Sequence, residues 1–223
     1  MLLHLLMAGA MAGGLSPLET ARDAQDRPAL ERMANEAAAA AAKAPKDAAA
    51  QFRTALASSY LAEVDIELHD RKAAQEAAVR GIHAAEQAIA LKPGDAENYR
   101  VLATLCGQAI TDMMSGLSYG PRAKDAIGKA VSLAPKSSQV WVARGVGNYY
   151  LPAQLGGGPA EAVNDFRKAI ALDSANAEAW LWLAIALRKQ GQDAEARQAF
   201  GKSLALDPNR VWVRQQLEKT PAK

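Results

Sequence analysis

One spacing recurs four times along this chain and limits what it can fold into. Ala196, Phe200, Ser203 and Pro208 are separated by four, three and five residues, and Ala162, Phe166, Ala169 and Ser174 repeat the interval. So do Ala123, Ile127, Ala130 and Pro135, and again Gly81, Ala85, Ala88 and Pro93. Offsets of four and three put three side chains on one face of a helix. Small residues at the first and third places let a neighbouring helix come close, and the bulkier residue between them fills the gap. The proline cannot continue a helix and pushes the residue before it out of the α region. The unit is therefore a helix with a fixed contact face and a fixed stop. The abundance of alanine, the best helix former, points the same way. No alternating β-branched segments of the kind a sheet requires are present.

A second helix precedes each of these. In the last unit Trp180, Leu183, Ala184 and Leu187 share one face, and Gly191 is placed to end the helix in a left-handed turn. Trp141 and Gly145 hold the places of Trp180 and Ala184 one unit earlier; Tyr99, Leu102 and Ala103 come before them, and Phe52 with residues 55–57 aligns loosely. In this pattern the chain resembles the tetratricopeptide repeat (TPR) family. That family's repeat of about 34 residues sets Trp, Leu, Gly and Tyr on a first helix and Ala, Phe, Ala and Pro on a second. The resemblance implies an all-α, right-handed solenoid of antiparallel helix pairs, four to five in number. The units fall at residues 16–45, 46–93, 94–135, 136–174 and 175–208, with a capping helix at 209–219 covering the last apolar face.

The units are unequal. Trp180 lies 16 residues before Ala196, but Trp141 lies 21 before Ala162, Tyr99 lies 24 before Ala123 and Phe52 lies 29 before Gly81. The longest excess reads as longer helices with a break at His69-Asp70. The other two, residues 116–122 (GLSYGPR) and 151–159 (LPAQLGGGP), are rich in Gly and Pro and read as loops. Equivalent turns of a solenoid share an edge, so two loops there would be neighbours and would mark a binding edge.

Chemistry is sparse. The glycine run at 156–158 lacks the Lys-Ser/Thr of a phosphate loop. His69 and His83 have no metal-ligand spacing, and the chain carries neither a nucleophile elbow nor a recognisable triad. Glu63 and Glu67, and Asp65 with His69, read as a solvated helix face. The single cysteine, Cys106, reads as a small buried residue. No enzyme, cofactor or metal is expected. With 26 basic against 24 acidic residues there is no charge footprint for nucleic acid. Residues 2–15 are apolar apart from His4. That length is below the ~20 residues of a membrane span, so no integral membrane segment is expected. Residues 1–14 have two readings. A secretory signal with a small-x-small site at 10–12 implies a periplasmic or secreted protein, and a first helix docked on the array leaves a cytoplasmic one.

In TPR proteins the first helix of each unit lines a concave groove. Carried onto this chain, the resemblance implies groove residues Arg100, Thr104 and Gln108 from one unit, Tyr149 and Tyr150 from the next, and Arg188 and Lys189 from the last. The Lys and Asn clamp by which some TPR domains hold chaperone carboxylates is not matched at Arg100, Thr104, Ala143, Glu178 and Trp182. Two functions follow as expectations. One is a scaffold for a protein or peptide partner held in the groove and at the loop edge. The other is a small-ligand- or lipid-binding component associated with transport, which needs an enclosed apolar cavity lined by the two loops.

Overall fold

A computed structural model describes residues 16–222. The segment read as a signal or docked helix lies outside these residues. All regular structure within them is helical: α1 (Pro17–Asp23), α2 (Arg27–Lys43), α3 (Ala48–Glu67), α4 (Arg71–Leu91), α5 (Ala96–Gln108), α6 (Met113–Leu133), α7 (Ser138–Tyr150), α8 (Pro159–Leu172), α9 (Ala177–Lys189), α10 (Asp193–Leu206) and α11 (Val211–Glu218). Odd-numbered and even-numbered helices pair in succession, and each odd helix from α1 to α7 also packs on the next odd helix. The result is a helix-pair solenoid.

The same four-residue turn joins the units. It ends in a capping residue whose side chain accepts from a backbone N–H of the next helix. Asp47 receives Ala49 and Ala50, Asp95 receives Glu97, Ser137 receives Val140 and Asn176 receives Ala179. At the fifth turn Arg210 stands in this place and makes no cap.

Small residues set the distance between helices. A Cβ on Gly81 would lie 2.7 Å from both Leu105 and Ser58, so α4 sits tightly between α3 and α5. A Cβ on Gly145 would meet the Phe166 ring, 2.8 Å from its Cδ1. The apolar interior falls into two clusters. One joins α1 to α5, is built largely of alanine, and receives Tyr119 and Ala123 from α6. The other joins α7 to α11 around Phe166, Phe200 and the α9 leucines. Cys106 is fully buried in the first, and burial pushes its thiol up to about 11.

The expected break at His69 is present: α3 ends at Glu67, and His69 adopts φ 66°. The loop expected at residues 116–122 is not. That segment lies inside α6, with Pro121 in the helix interior. Asp112 and Ser115 cap each other at the helix start, the Arg122 guanidinium pairs with Glu86 of α4, and Arg122 also lies over the Tyr119 ring. These anchors outweigh the local turn preference of Gly and Pro. The insertion lengthens a helix instead, leaving Met113, Met114 and Leu117 exposed at its start. The two-loop edge therefore does not form. The 151–158 segment is a true loop. Gly156 and Gly158 have φ of 85° and 102°, and a Cβ on Gly157 would lie 2.5 Å from the Leu151 carbonyl oxygen. The glycines serve a tight backbone turn.

Gly145→Ala is expected to cost about 1–3 kcal/mol through overpacking against Phe166. Gly147→Ala, on the same helix with no neighbour within 4 Å, is expected to gain up to about 1 kcal/mol from helix propensity. Urea unfolding of the two variants checks the difference, and equal effects would contradict the packing account.

Candidate functional site

Residues far apart in sequence meet where the array curls on itself. Gln25, just after α1, and Gln215 of α11 are hydrogen-bonded to each other, with the Gln215 amide donating at 3.0 Å. Beside them Arg210 is 1% exposed and is the hub of a buried ionic cluster. It donates through both Nη atoms to Glu67, at 2.5 and 3.2 Å, and through Nη2 to Glu63 at 2.7 Å. Its Nε donates to Glu178 at 3.3 Å, and its Nη1 to the carbonyl of Arg22 at 3.3 Å. Arg22 donates from Nε to the neighbouring Asp23 at 2.8 Å, lies 3.4 Å from Glu178, and covers the Tyr60 ring. The seam thus joins α1 and α3 to α9 and α11. α1, α3 and α9 are first helices of their pairs and α11 is the unpaired last helix, and their meeting places these helices on the inside of the curl.

Glu63 and Glu67 are therefore not a solvated face. Both turn onto a buried guanidinium, and Asp65, on the opposite side of α3, pairs with Arg27 at 2.9 Å. His69 is an exposed turn residue. Burial pushes the Asp23 carboxyl up to about 6 and that of Glu63 up to about 7, and it also raises Glu67, against the pull of the arginines. Burial acts upward on Glu178 too, but Arg22 and Arg210 together outweigh it and hold its carboxyl below the usual range.

Next to the seam lies an aromatic strip. Trp212 of α11 is 5.5 Å, centroid to centroid, from Trp182 of α9, which meets Tyr149 at 6.1 Å and Tyr150 at 6.3 Å. Tyr149 and Tyr150 meet edge to face at 5.0 Å, Phe166 stacks behind Trp182, and Arg210 lies over Trp212. Such pairs contribute ~0.5–1.5 kcal/mol each beyond burial. Tyr150 is 66% exposed.

The seven expected groove residues fall into three groups. On α5, Arg100 pairs with Glu97 at 2.8 Å, Thr104 donates to the Arg100 carbonyl, and the Gln108 amide donates to the Ser59 carbonyl of α3. Tyr149 and Tyr150 join the aromatic strip. Arg188 is taken up internally, donating to the Gln216 carbonyl and side chain and to Thr220 beyond α11, while Lys189 beside it is exposed. Trp182 and Trp212 as partners of the tyrosines, and Arg210 as a hub, were not expected from the sequence. The signal for Arg210 was an arginine at the place where every earlier unit has a capping residue.

Residues 157–217 match the tetratricopeptide repeat family. Those residues therefore carry tetratricopeptide repeats, and the described residues before them share the helix-pair solenoid. Members of this family are generally non-catalytic scaffolds for protein partners, and the TPR fold extends well beyond the matched residues. The chain is similar to TTC0263, a thermophilic TPR protein in Thermus thermophilus, at 20% identity and a TM-score of 0.54, over 85% of this chain and 97% of that one. It is also similar to the HusA haemophore from Porphyromonas gingivalis, at 17% identity and a TM-score of 0.55, over 80% and 96% of the two chains. No curated protein matches. Among the described residues no helix is long and apolar enough to cross a membrane.

Arg210→Met is expected to cost about 3–5 kcal/mol, because it strands buried carboxylates. Adding Glu67→Met should recover part of the loss. A double-mutant cycle in urea measures the coupling, and additive losses would remove Arg210 from its role as hub.

Proposed function

We propose that this protein is a scaffold that holds a protein or peptide partner against the aromatic strip of its C-terminal units. The observation that carries the reading is Tyr150. It is two-thirds exposed, yet packed edge-on against Tyr149 and Trp182, so the strip already has its shape before any partner arrives. Tyrosine and tryptophan give contact area and a hydrogen-bonding handle at low entropic cost, and they dominate binding hot spots. The chain has only four Trp, five Tyr and three Phe, and five of these twelve gather here. Lys189 at the end of α9 adds an exposed charge. Arg188 serves the strip indirectly, by fixing α11 and with it Trp212.

The small-ligand reading has less behind it. It calls for an enclosed cavity between two loops, and one of those segments is helix. Two shallow hollows among the described residues lie elsewhere, beside Val79 on α4 and between α1 and Met33 of α2. A periplasmic or secreted location rests on the signal reading of the first residues; N-terminal sequencing of the mature protein tests it.

Affinity capture from the native source identifies the partner. Tyr150→Ala, which removes two aromatic pairs of ~0.5–1.5 kcal/mol each and leaves the rest of the strip in place, should weaken the captured partner's binding at least tenfold in a titration, and Arg100→Ala by less. Unchanged affinity in Tyr149→Ala, Tyr150→Ala and Arg100→Ala alike would rule out this face.

A further inference from the structure

The seam has a charge imbalance that its geometry cannot hide. Two guanidinium groups, Arg22 and Arg210, face four carboxyl groups: Asp23 on α1, Glu63 and Glu67 on α3, and Glu178 on α9. Asp23 and Glu67 are 1% exposed, and Glu63 and Glu178 are 22% and 25% exposed in their side chains. The groups around them do not correct the deficit. Asp207, at the turn before α11, acts on Asp23 as a further negative charge, Glu19 and Glu63 act on Tyr60, and Arg100 of α5, which acts on Tyr60, is itself paired with Glu97. One oxygen of Asp23, Oδ2, is buried with no hydrogen-bond partner among the described residues. A buried carboxylate oxygen facing no donor is costly as an anion and much less so with a proton on it.

We infer that the seam is a proton-operated clasp, which holds the two ends of the array together in mild acid and loosens them as the pH rises toward neutrality. The contacts that close it are the same ones that crowd the charges. With α1 and α3 parted from α9 and α11, each carboxyl regains water. Closing them together with all four ionised buries a net charge of two, and taking up protons on Glu63 and Asp23 removes it.

The direction of the response follows from the carboxyl groups. Glu63 rises from 4.5 to about 7 and Asp23 from 3.8 to about 6 in the closed array. A raised acid favours the closed form below its ordinary value and loses that contribution as the pH climbs through the raised one. Glu178 is shifted the other way, so its contribution is present above its ordinary value and is lost only in stronger acid. Closure is therefore tightest near pH 4–4.5, and most of the loss falls between about pH 4.5 and 7. The Glu63 shift alone weakens the closing equilibrium roughly thirtyfold between pH 5.5 and 8.5 by linkage.

The inference is independent of what the aromatic strip binds and is tested without a ligand. Nitroxide labels on Thr20→Cys of α1 and Glu218→Cys of α11, in a full-length Cys106→Ala chain, report the distance across the seam by electron double resonance. One short distance at pH 5.5, giving way to a longer, broader population at pH 8.5, is the expected result. Asp23→Asn/Glu63→Gln, which balances the charges, should stay closed at both values. Should that pair fail to fold, Glu63→Gln alone should still shrink the response. Superimposable distributions at the two pH values in the parent chain would overturn the clasp, as would an undiminished response in the neutralised variants.

Discussion

A buried guanidinium does not tolerate incomplete company, and the curl of this solenoid turns on that fact. Arg210 sits at the start of the last helix, 1% exposed, in a place where desolvating an unpaired charge would cost several kcal/mol. Its partners come from the first, second and fifth units: the carbonyl of Arg22 at the end of α1, Glu63 and Glu67 of α3, and Glu178 of α9. To satisfy one side chain, the chain must bring its ends together. A solenoid stabilised only by contacts between neighbours has no reason to do this, because each repeat can be content with the next. The long-range ionic cluster fixes the curvature that nearest-neighbour packing leaves free.

The two halves of the array carry different kinds of interior, and this bears on where a partner binds. From α1 to α5 the helices approach closely through alanine, with Gly81 seated against Leu105 and Ser58. The side chains this half turns inward are chiefly the charged groups of the seam, Arg22, Glu63 and Glu67. From α7 onward larger groups fill the interior, and the excess spills onto the inner face as Tyr149, Tyr150, Trp182 and Trp212. The Arg210 guanidinium over Trp212 joins this strip to the seam. The aromatic strip and the ionic cluster are thus adjoining parts of one inner surface.

The sequence carries the repeats plainly because they are local. A small–large–small face followed by a proline is complete within a dozen residues, and the helix ends fall where the Pro and Asp, Ser or Asn residues stand. Features that depend on distant partners were not legible. The 116–122 segment has the composition of a loop, yet it is helix because Arg122 finds Glu86 and the Asp112–Ser115 box starts the helix early. Glu63 and Glu67 have the spacing of an exposed face, yet one is half-buried and the other buried because Arg210 arrives from residues nearly 150 positions away. Of the expected groove, the tyrosines lie in the strip, whereas Arg188 and Gln108 are consumed by contacts within the fold.

One sign of the seam was nonetheless present in the sequence. The turn that joins successive units ends in Asp47, Asp95, Ser137 and Asn176, and then in Arg210. An arginine cannot accept the hydrogen bonds of an N-cap, so the last helix begins without the stabilisation of about 1 kcal/mol that its predecessors receive. A local rule broken at a single repeat, while its neighbours keep it, is evidence that the residue answers to something outside the repeat. Here the outside partners are acidic, buried and more numerous than the arginines that face them. The residue that forfeits the cap is the one that makes the curl, and the surplus of carboxylates around it makes that curl sensitive to protons.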